Sequence, residues 1–173
     1  MALRHAFAAL AIALAIGSAD AQRWSELQGR TKSGEIALAQ AIADAGSDAL
    51  VLLVASHPDD RYVLPAVYLR YRYGARIAVL LASRGGGGQN SLGPETGDAL
   101  EQIRTLEAEA GCSRFDGEVY YLNRPDRGFR RTAEETYAEW GRDETLASLS
   151  RIIRLVRPDV VITTHNAEET HGH

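Results

Sequence analysis

Residues 49–60 read Ala-Leu-Val-Leu-Leu-Val-Ala-Ser-His-Pro-Asp-Asp, an apolar run that passes directly into a polar turn. Seven consecutive apolar residues are too few for a typical helix, but they match a strand that is buried on both faces of a parallel sheet. Similar runs follow at 76–82, 118–122 and 159–164. The chain is therefore predicted to contain four strands of this kind.

Helical patterns separate these strands. Apolar residues recur at helical spacing over 33–45, 63–73, 97–110 and 143–156. Gly46, Gly74 and Gly111 follow the first three segments, at the position where a glycine commonly ends a helix. Strands that alternate with helices in this way form a parallel sheet with helices on both faces. We therefore expect an α/β fold with a Rossmann-like, mostly parallel sheet.

The same architecture predicts where the functional site lies. In an open α/β sheet, ligands bind beyond the carboxyl ends of the strands. Here those ends are followed by polar residues that can bind or react, at 56–60, 83–90, 123–126 and His165. We therefore expect the site at the carboxyl ends of the strands.

Composition limits the class of protein. The chain has 173 residues, of which 45% are hydrophobic and 24% charged, and its formal net charge is −4. These values are typical of one globular domain and argue against long disordered or coiled-coil regions. Its single cysteine, Cys112, excludes an intrachain disulfide framework and a Cys-based zinc finger. The acidic balance argues against nucleic acid or an anionic membrane surface as the main partner.

The first 21 residues have the three parts of a secretory signal peptide. Arg4 precedes an apolar run over 6–16, and Ala19-Asp20-Ala21 is an A-x-A cleavage site. The run is shorter than the roughly 20 residues that a membrane span needs. We expect a signal peptide over 1–21, a lead-in and first helix over 22–48, and the N-terminal part of the α/β domain over 49–173. The product would be exported to the periplasm or the extracellular space, and a buried N-terminal helix is the alternative.

His57 and Asp60 form the first candidate pair for chemistry. They lie three residues apart at a strand end, so an imidazole and a carboxylate can reach one metal ion. The alternative is structural, because Asp is a preferred N-cap residue and either Asp59 or Asp60 could cap the following helix. An N-cap needs only one of these two aspartates, however, so the presence of the other is not explained. More histidines follow the fourth predicted strand, at the same sheet edge: His165, His171 and His173.

These motifs, taken in order, resemble the PIG-L/LmbE-like family of zinc-dependent N-deacetylases, which act on N-acetylglucosamine-type substrates. The resemblance covers about Ala49 to His173 and looks closest to the long, exported branch of the family. It rests on Ala55-Ser56-His57-Pro58-Asp59-Asp60 after a strand, the Gly-rich turn at 84–90, Arg104-x-x-Glu107, Asp126, and Arg157-Pro158-Asp159. It implies one Zn²⁺ per site and a small-molecule or glycan substrate.

The resemblance also implies a role for each matching residue. These roles are metal binding for His57 and Asp60, general base for Asp59, general acid for His171, and substrate contact for Arg104 and Asp126. The family's third ligand is the second His of an H-x-x-H motif, of which His171-Gly172-His173 supplies three positions. That ligand would be the residue after His173 or, in a second register, His173 itself.

The expected function is zinc-dependent removal of an N-acetyl group from an acetylated amino sugar or related amide. Zinc held in this way lowers the pKa of a bound water to about 7 and polarises a carbonyl. Arg61, where the family commonly has Glu, and the incomplete H-x-x-H motif support an alternative, a non-catalytic carbohydrate-binding domain that keeps the fold. We also expect that residues 22–173 alone bind zinc weakly and do not hydrolyse an acetylated amino sugar. A chain extended past His173 is expected to bind zinc and to hydrolyse this substrate.

Overall fold

The computed structural model describes residues 34–60, 62–128 and 130–163. The chain divides into two units, Met1–Ile42 and Ala43–His173, and the sheet and the candidate site belong to the second. The predicted signal peptide, Arg61 and the histidines at 165, 171 and 173 lie outside the described residues.

Strands and helices alternate along the described chain, as the apolar periodicity predicts. The strands are β1 (Leu50–Ala55), β2 (Arg76–Leu81), β3 (Glu118–Tyr121) and β4 (Val160–Thr163). The helices are α1 (Gly34–Ala45), α2 (Val63–Tyr73), α3 (Gly97–Ser113), α4 (Ala133–Trp140) and α5 (Arg142–Val156). Within the described ranges, no helix has the length and apolar character needed to cross a membrane.

Helix α3 continues past Gly111, where the sequence predicts its end, and stops at Ser113. The reason is tertiary. Cys112 lies in this last turn and is 1% exposed, because it packs into the core beneath the sheet. Burial of that side chain favours helical structure over three more residues, 111–113, although glycine is a weak helix former.

The four strands of the described sheet are parallel and lie in the order β3-β2-β1-β4. Leu53 in β1 is paired with Val79 on one side and with Ile162 on the other. The chain thus adds β2 and β3 on one side of β1 and then returns to place β4 on the opposite side. Such a reversal creates a crevice at the carboxyl ends of β1 and β4, and ligands bind at such a point in sheets of this type.

Helices cover both faces of the sheet. One face is centred on Leu53, 1% exposed, and packs against side chains of α2 and α3 that include Ala66, Leu69, Ala108 and Cys112. The opposite face is centred on Leu52, 0% exposed, and packs against α5 through Leu149, Ile152, Ile153 and Val156. The expected α/β fold with helices on both faces is confirmed.

The apolar periodicity does not predict α4, because half of residues 133–140 are polar and three of these are Glu. A capping signal does indicate it. The Thr132 hydroxyl accepts a hydrogen bond from the Glu135 backbone N–H over 3.3 Å, and the Glu135 carboxylate accepts one from the Arg131 N–H over 3.0 Å. Thr-x-x-Glu is the spacing of a capping box, which marks the start of a helix.

Candidate functional site

Asp60 fixes the turn that follows β1. Its Oδ2 accepts hydrogen bonds from the backbone N–H groups of Ser56 and His57, over 2.8 and 2.9 Å. The residue is only 7% exposed, so these two donors stabilise a carboxylate that is largely removed from water. The N-cap residue of α2 is Tyr62, not either aspartate, and the capping alternative is therefore wrong for that position.

His57, Asp59 and Asp60 form a cluster that can hold a metal ion. Their candidate ligand atoms all lie within 4.8 Å of one another. An imidazole nitrogen with carboxylate oxygens is a donor set that suits Zn²⁺. The three residues leave β1 within one short turn, so local chain geometry alone brings them together. The residues present therefore fit a zinc ion.

Asp126 approaches this cluster from the loop after β3. Its Oδ1 lies 3.7 Å from Nε2 of His57, and its side chain is 7% exposed. The same carboxylate accepts hydrogen bonds from the backbone N–H groups of Gly87, over 3.0 Å, and Gly128, over 2.9 Å. A carboxylate in such a position orients the ring of a metal-binding histidine.

His57 and Asp126 stabilise each other's charged form. The interaction with His57 and the two backbone donors hold the pKa of Asp126 well below its ordinary range, although burial opposes this. The same interaction raises the pKa of His57 above its ordinary value, against the opposite effect of burial. Asp126 is therefore a permanent negative charge beside the ring of His57.

Arg104, on α3, connects the glycine-rich turn to the cluster. Its Nη1 donates to the carbonyl of Gly85 over 2.6 Å, and its Nη2 donates to the carbonyl of Gln89 over 3.3 Å. Nη2 also lies 3.8 Å from Oδ2 of Asp59, whose side chain is 53% exposed. One guanidinium thus holds both ends of the turn and faces the carboxylate predicted to be the general base.

These groups surround a small cleft. It is lined by His57, Asp59, Gly87, Gly88, Gln89, Arg104, Asp126 and Gly128. Its volume is about 10 Å³, which is close to the minimum of about 10–15 Å³ for one water molecule. The described cleft therefore has room for a water molecule, and any larger ligand must lie at its mouth or displace the glycine-rich turn.

The structure brings together the described residues that the sequence singles out. His57, Asp59, Arg104 and Asp126 line the cleft, and Asp60 lies beside it in the same cluster. His171 and His173 lie outside the described residues, as does Arg61. The general-acid role and the third ligand therefore stay predictions.

The sequence does not identify Gly87 as part of this arrangement. A Cβ at this position would overlap the Asp126 carboxylate and would lie 2.8 Å from the backbone nitrogen of Gly128. Gly87 therefore allows close approach of two loops, which is a common reason for a glycine at a site. Four consecutive glycines signal such an approach, but they do not say which residue approaches.

The chain was compared with protein-family models, with curated proteins and with solved structures. A family model described as PIG-L, GlcNAc-PI de-N-acetylase, matches residues 52–173. No curated protein gives a significant match.

Several solved structures are similar to this chain, among them the following two. GalB, the 4-carboxy-2-hydroxymuconate hydratase from Pseudomonas putida KT2440, is 19% identical with a TM-score of 0.54, over 72% of this chain and 50% of that one. N,N'-diacetylchitobiose deacetylase from Pyrococcus horikoshii, complexed with its inhibitor MPG, is 24% identical with a TM-score of 0.48, over 65% of this chain and 39% of that one. The chain thus spans half or less of either protein, and the likeness to GalB concerns the fold alone.

Proposed function

Because this chain belongs to the PIG-L family of GlcNAc-PI de-N-acetylases, we propose that it is a zinc-dependent hydrolase that removes an N-acetyl group from an acetylated amino sugar or a related amide. The observation that carries the proposal is the cluster of His57, Asp59 and Asp60 at the carboxyl end of β1. Family membership supports the class of reaction, and this cluster supports the assignment of the metal-binding and general-base roles to its three residues.

His57 and Asp60 are the proposed metal ligands. When bound, Zn²⁺ would activate a water molecule for attack and polarise the amide carbonyl. Asp60 is suited to ligation because two backbone N–H groups hold its carboxylate in place before any ion binds. His57 is held by the Asp126 carboxylate, so less side-chain freedom is lost when the site forms.

Asp59 is the proposed general base. Its side chain is half exposed and lines the cleft, so a carboxylate oxygen can take the proton from the attacking water. Arg104 lies beside that carboxylate and restricts its position.

The remaining roles are assigned to the end of the chain. Hydrolysis yields acetate and an amine, and the departing amine needs a proton, which we assign to His171. The third zinc ligand is the residue that follows His173 or His173 itself, and activity then depends on chain beyond the sheet. Replacing His173 with Ala separates the two registers: a large loss of zinc affinity supports His173 as the ligand, and unchanged affinity supports the residue after it.

Substrate contacts and location complete the proposal. Arg104 and Asp126 are assigned to substrate contact, since both line the cleft. The protein is exported, because residues 1–21 have the sequence of a cleavable signal peptide. An N-terminus at Gln22 in the exported protein would support this location, and retention of Met1 would contradict it.

The test of the function is acetate release. A chain extended past His173 and loaded with zinc is incubated with N-acetylglucosamine and N,N'-diacetylchitobiose, and acetate is measured before and after removal of the metal by a chelator. Zinc-dependent release that is lost in Asp59→Asn supports the proposal. Asp48→Asn is the matched control, because Asp48 is an exposed carboxylate before β1, at the opposite end of the sheet. Sugar binding without acetate release would instead favour the carbohydrate-binding alternative.

A further inference from the structure

We propose that α4 is a positioning element for the metal site: Glu139 and Trp140 hold the loop after β3 so that Asp126 meets His57. The inference rests on the metal site of the proposed function, and it concerns residues outside the ligand set. Asp126 lies near the middle of residues 122–132, the segment that joins β3 to α4. A segment of this length does not by itself fix a side chain, so other contacts must do so.

Trp140 holds the loop on the N-terminal side of Asp126. Its indole N–H donates to the carbonyl of Pro125 over 2.8 Å, and Pro125 immediately precedes Asp126. Trp140 is the last residue of α4, and its own carbonyl accepts a hydrogen bond from Arg124 over 3.3 Å. The residues just before Asp126 are therefore attached to the end of this helix at two points.

Glu139 holds the loop on the other side. Its Oε1 accepts a hydrogen bond from Arg127 over 2.8 Å, and its Oε2 accepts one from Arg130 over 2.6 Å. Arg127 immediately follows Asp126. The hydrogen bond from Arg130 lowers the pKa of Glu139 most, and the one from Arg127 lowers it further. The carboxylate is therefore charged at neutral pH. Single ion pairs at a surface contribute little, but a carboxylate that joins two arginines of one loop restricts that loop at two positions.

The helix that holds the loop is itself anchored. Arg124, whose side chain is 10% exposed, donates to the Glu144 carboxylate over 3.1 Å and to the Ser148 hydroxyl over 2.9 Å, both on α5. Thr145, also on α5, donates its hydroxyl to the carbonyl of Trp140 over 3.2 Å. Since α5 packs on the sheet, this contact defines the position of α4 relative to β1. Contacts therefore continue from the sheet through α5 and α4 to both neighbours of Asp126.

The functional reason for this arrangement is preorganisation. Asp126 accepts hydrogen bonds from Gly87 and Gly128 and lies 3.7 Å from His57, and these distances are kept only if its backbone is held in place. Loss of a carboxylate that orients a ligating histidine typically weakens metal binding by about 10–100-fold. Glu139 and Trp140 act one step further away, so we expect each to contribute a smaller factor of about 3–10.

The test compares zinc affinities measured by calorimetry on a chain extended past His173, in which both proposed registers of the third ligand are present. Glu139→Gln removes the charge, and Trp140→Phe keeps the aromatic ring but removes the N–H donor. Each is expected to weaken zinc binding by about 3–10-fold. Glu134→Gln is the matched control, because Glu134 is an exposed carboxylate in the first turn of the same helix, and it should leave zinc affinity unchanged.

A double-mutant cycle distinguishes positioning from general destabilisation. In an Asp126→Ala background, Glu139→Gln should change zinc affinity by less than about twofold, because the residue through which Glu139 acts is absent. Equal losses in both backgrounds, or unchanged affinity in the single variants, would overturn the inference while the proposed function stands. Failure of the extended chain without substitutions to bind zinc would overturn both.

An independent readout comes from the indole N–H of Trp140 in NMR spectra. The chain has two tryptophans, and Trp24→Phe identifies the Trp140 signal. If Trp140 supports the loop that carries Asp126, zinc binding should shift this signal in the unmodified protein and shift it much less in Asp126→Ala. An indole signal that does not respond to zinc in the unmodified protein would contradict the inference.

Discussion

Gly87 and Asp126 are 39 residues apart in the sequence, yet the backbone N–H of Gly87 donates to Oδ2 of Asp126 over 3.0 Å. A Cβ on Gly87 would overlap that carboxylate. The carboxylate in turn lies beside the imidazole of His57. The glycine-rich turn after β2 and the loop after β3 are therefore packed together at the site, and a glycine is required where they touch.

The first prediction follows from this contact. Gly87→Ala should weaken zinc binding by about 10–100-fold, as expected when the partner of a metal-binding histidine is displaced. Gly111→Ala is the control, because a Cβ there meets nothing within 4 Å and the residue lies inside α3. It should leave zinc affinity unchanged and raise the free energy of unfolding by about 0.5–1 kcal/mol. Calorimetry and denaturant unfolding measure the two quantities, and full zinc affinity in Gly87→Ala would contradict the prediction.

The second prediction concerns the two roles of Asp60. Asp60→Asn keeps an oxygen that can accept the N–H groups of Ser56 and His57 but removes the negative charge. It should lower zinc affinity by more than about 100-fold, because loss of a ligand costs more than loss of its supporting partner. Asp60→Ala should also lower the free energy of unfolding without zinc by about 1–3 kcal/mol, because it leaves these donors unsatisfied. Zinc binding by Asp60→Asn at normal affinity would remove Asp60 from the ligand set.

The third prediction separates a base from a ligand at Asp59. Asp59→Asn should lower kcat by about 10²–10⁴-fold, the range for loss of a general base. Zinc affinity should stay within about threefold of the unmodified protein, because an amide keeps the shape of the side chain without accepting the proton. Acetate release and zinc titration are measured on the same preparation. A collapse of zinc affinity would instead identify Asp59 as a ligand.

The fourth prediction concerns Cys112 and pH. Burial raises the pKa of this thiol from 9.0 to about 11, and the residue is 1% exposed. The native thiol should therefore react slowly with a disulfide reagent at pH 8 and rapidly once the protein is unfolded. Since the folded protein favours the neutral thiol, this stabilisation is complete below pH 9 and is lost as the pH rises through about 11.

The variant Cys112→Ala tests the pH effect. The buried phenol of Tyr62, which lies next to Cys112, also has a raised pKa, so both groups weaken the fold in alkali. The free energy of unfolding of Cys112→Ala should fall less steeply between pH 9 and pH 11 than that of the unmodified protein. Rapid reaction of the native thiol at pH 8 would show that the site is accessible.

Local patterns in the sequence are enough to predict the sheet and half of the site. The strands are continuous apolar runs and the helices have apolar residues at helical spacing, so each element can be located without knowledge of its neighbours. His57, Asp59 and Asp60 lie within one turn of chain, and their proximity is likewise a local property.

The long-range part of the site depends on the tertiary structure. Parallel pairing of β1, β2 and β3 brings their carboxyl ends to one edge, and this places Arg104 beside Asp59 and Asp126 beside His57. The spacing of residues in the sequence does not predict these two pairs, because the distance between the members of each pair depends on how separate segments of the chain pack. Similarly, α4 has little apolar periodicity, and its importance is visible only in the bonds that it makes to the loop around Asp126.

The sequence by itself therefore determined the fold class and the turn that carries the candidate metal ligands, since both follow from interactions between residues close along the chain. Only the tertiary structure decided that Gly87 must be a glycine, that Asp126 is held by two backbone donors and that Arg104 joins the glycine-rich turn to Asp59. The physical reason is that these contacts join residues far apart in the chain. Their geometry is set by the register of the sheet and by the close packing of the loops that leave it.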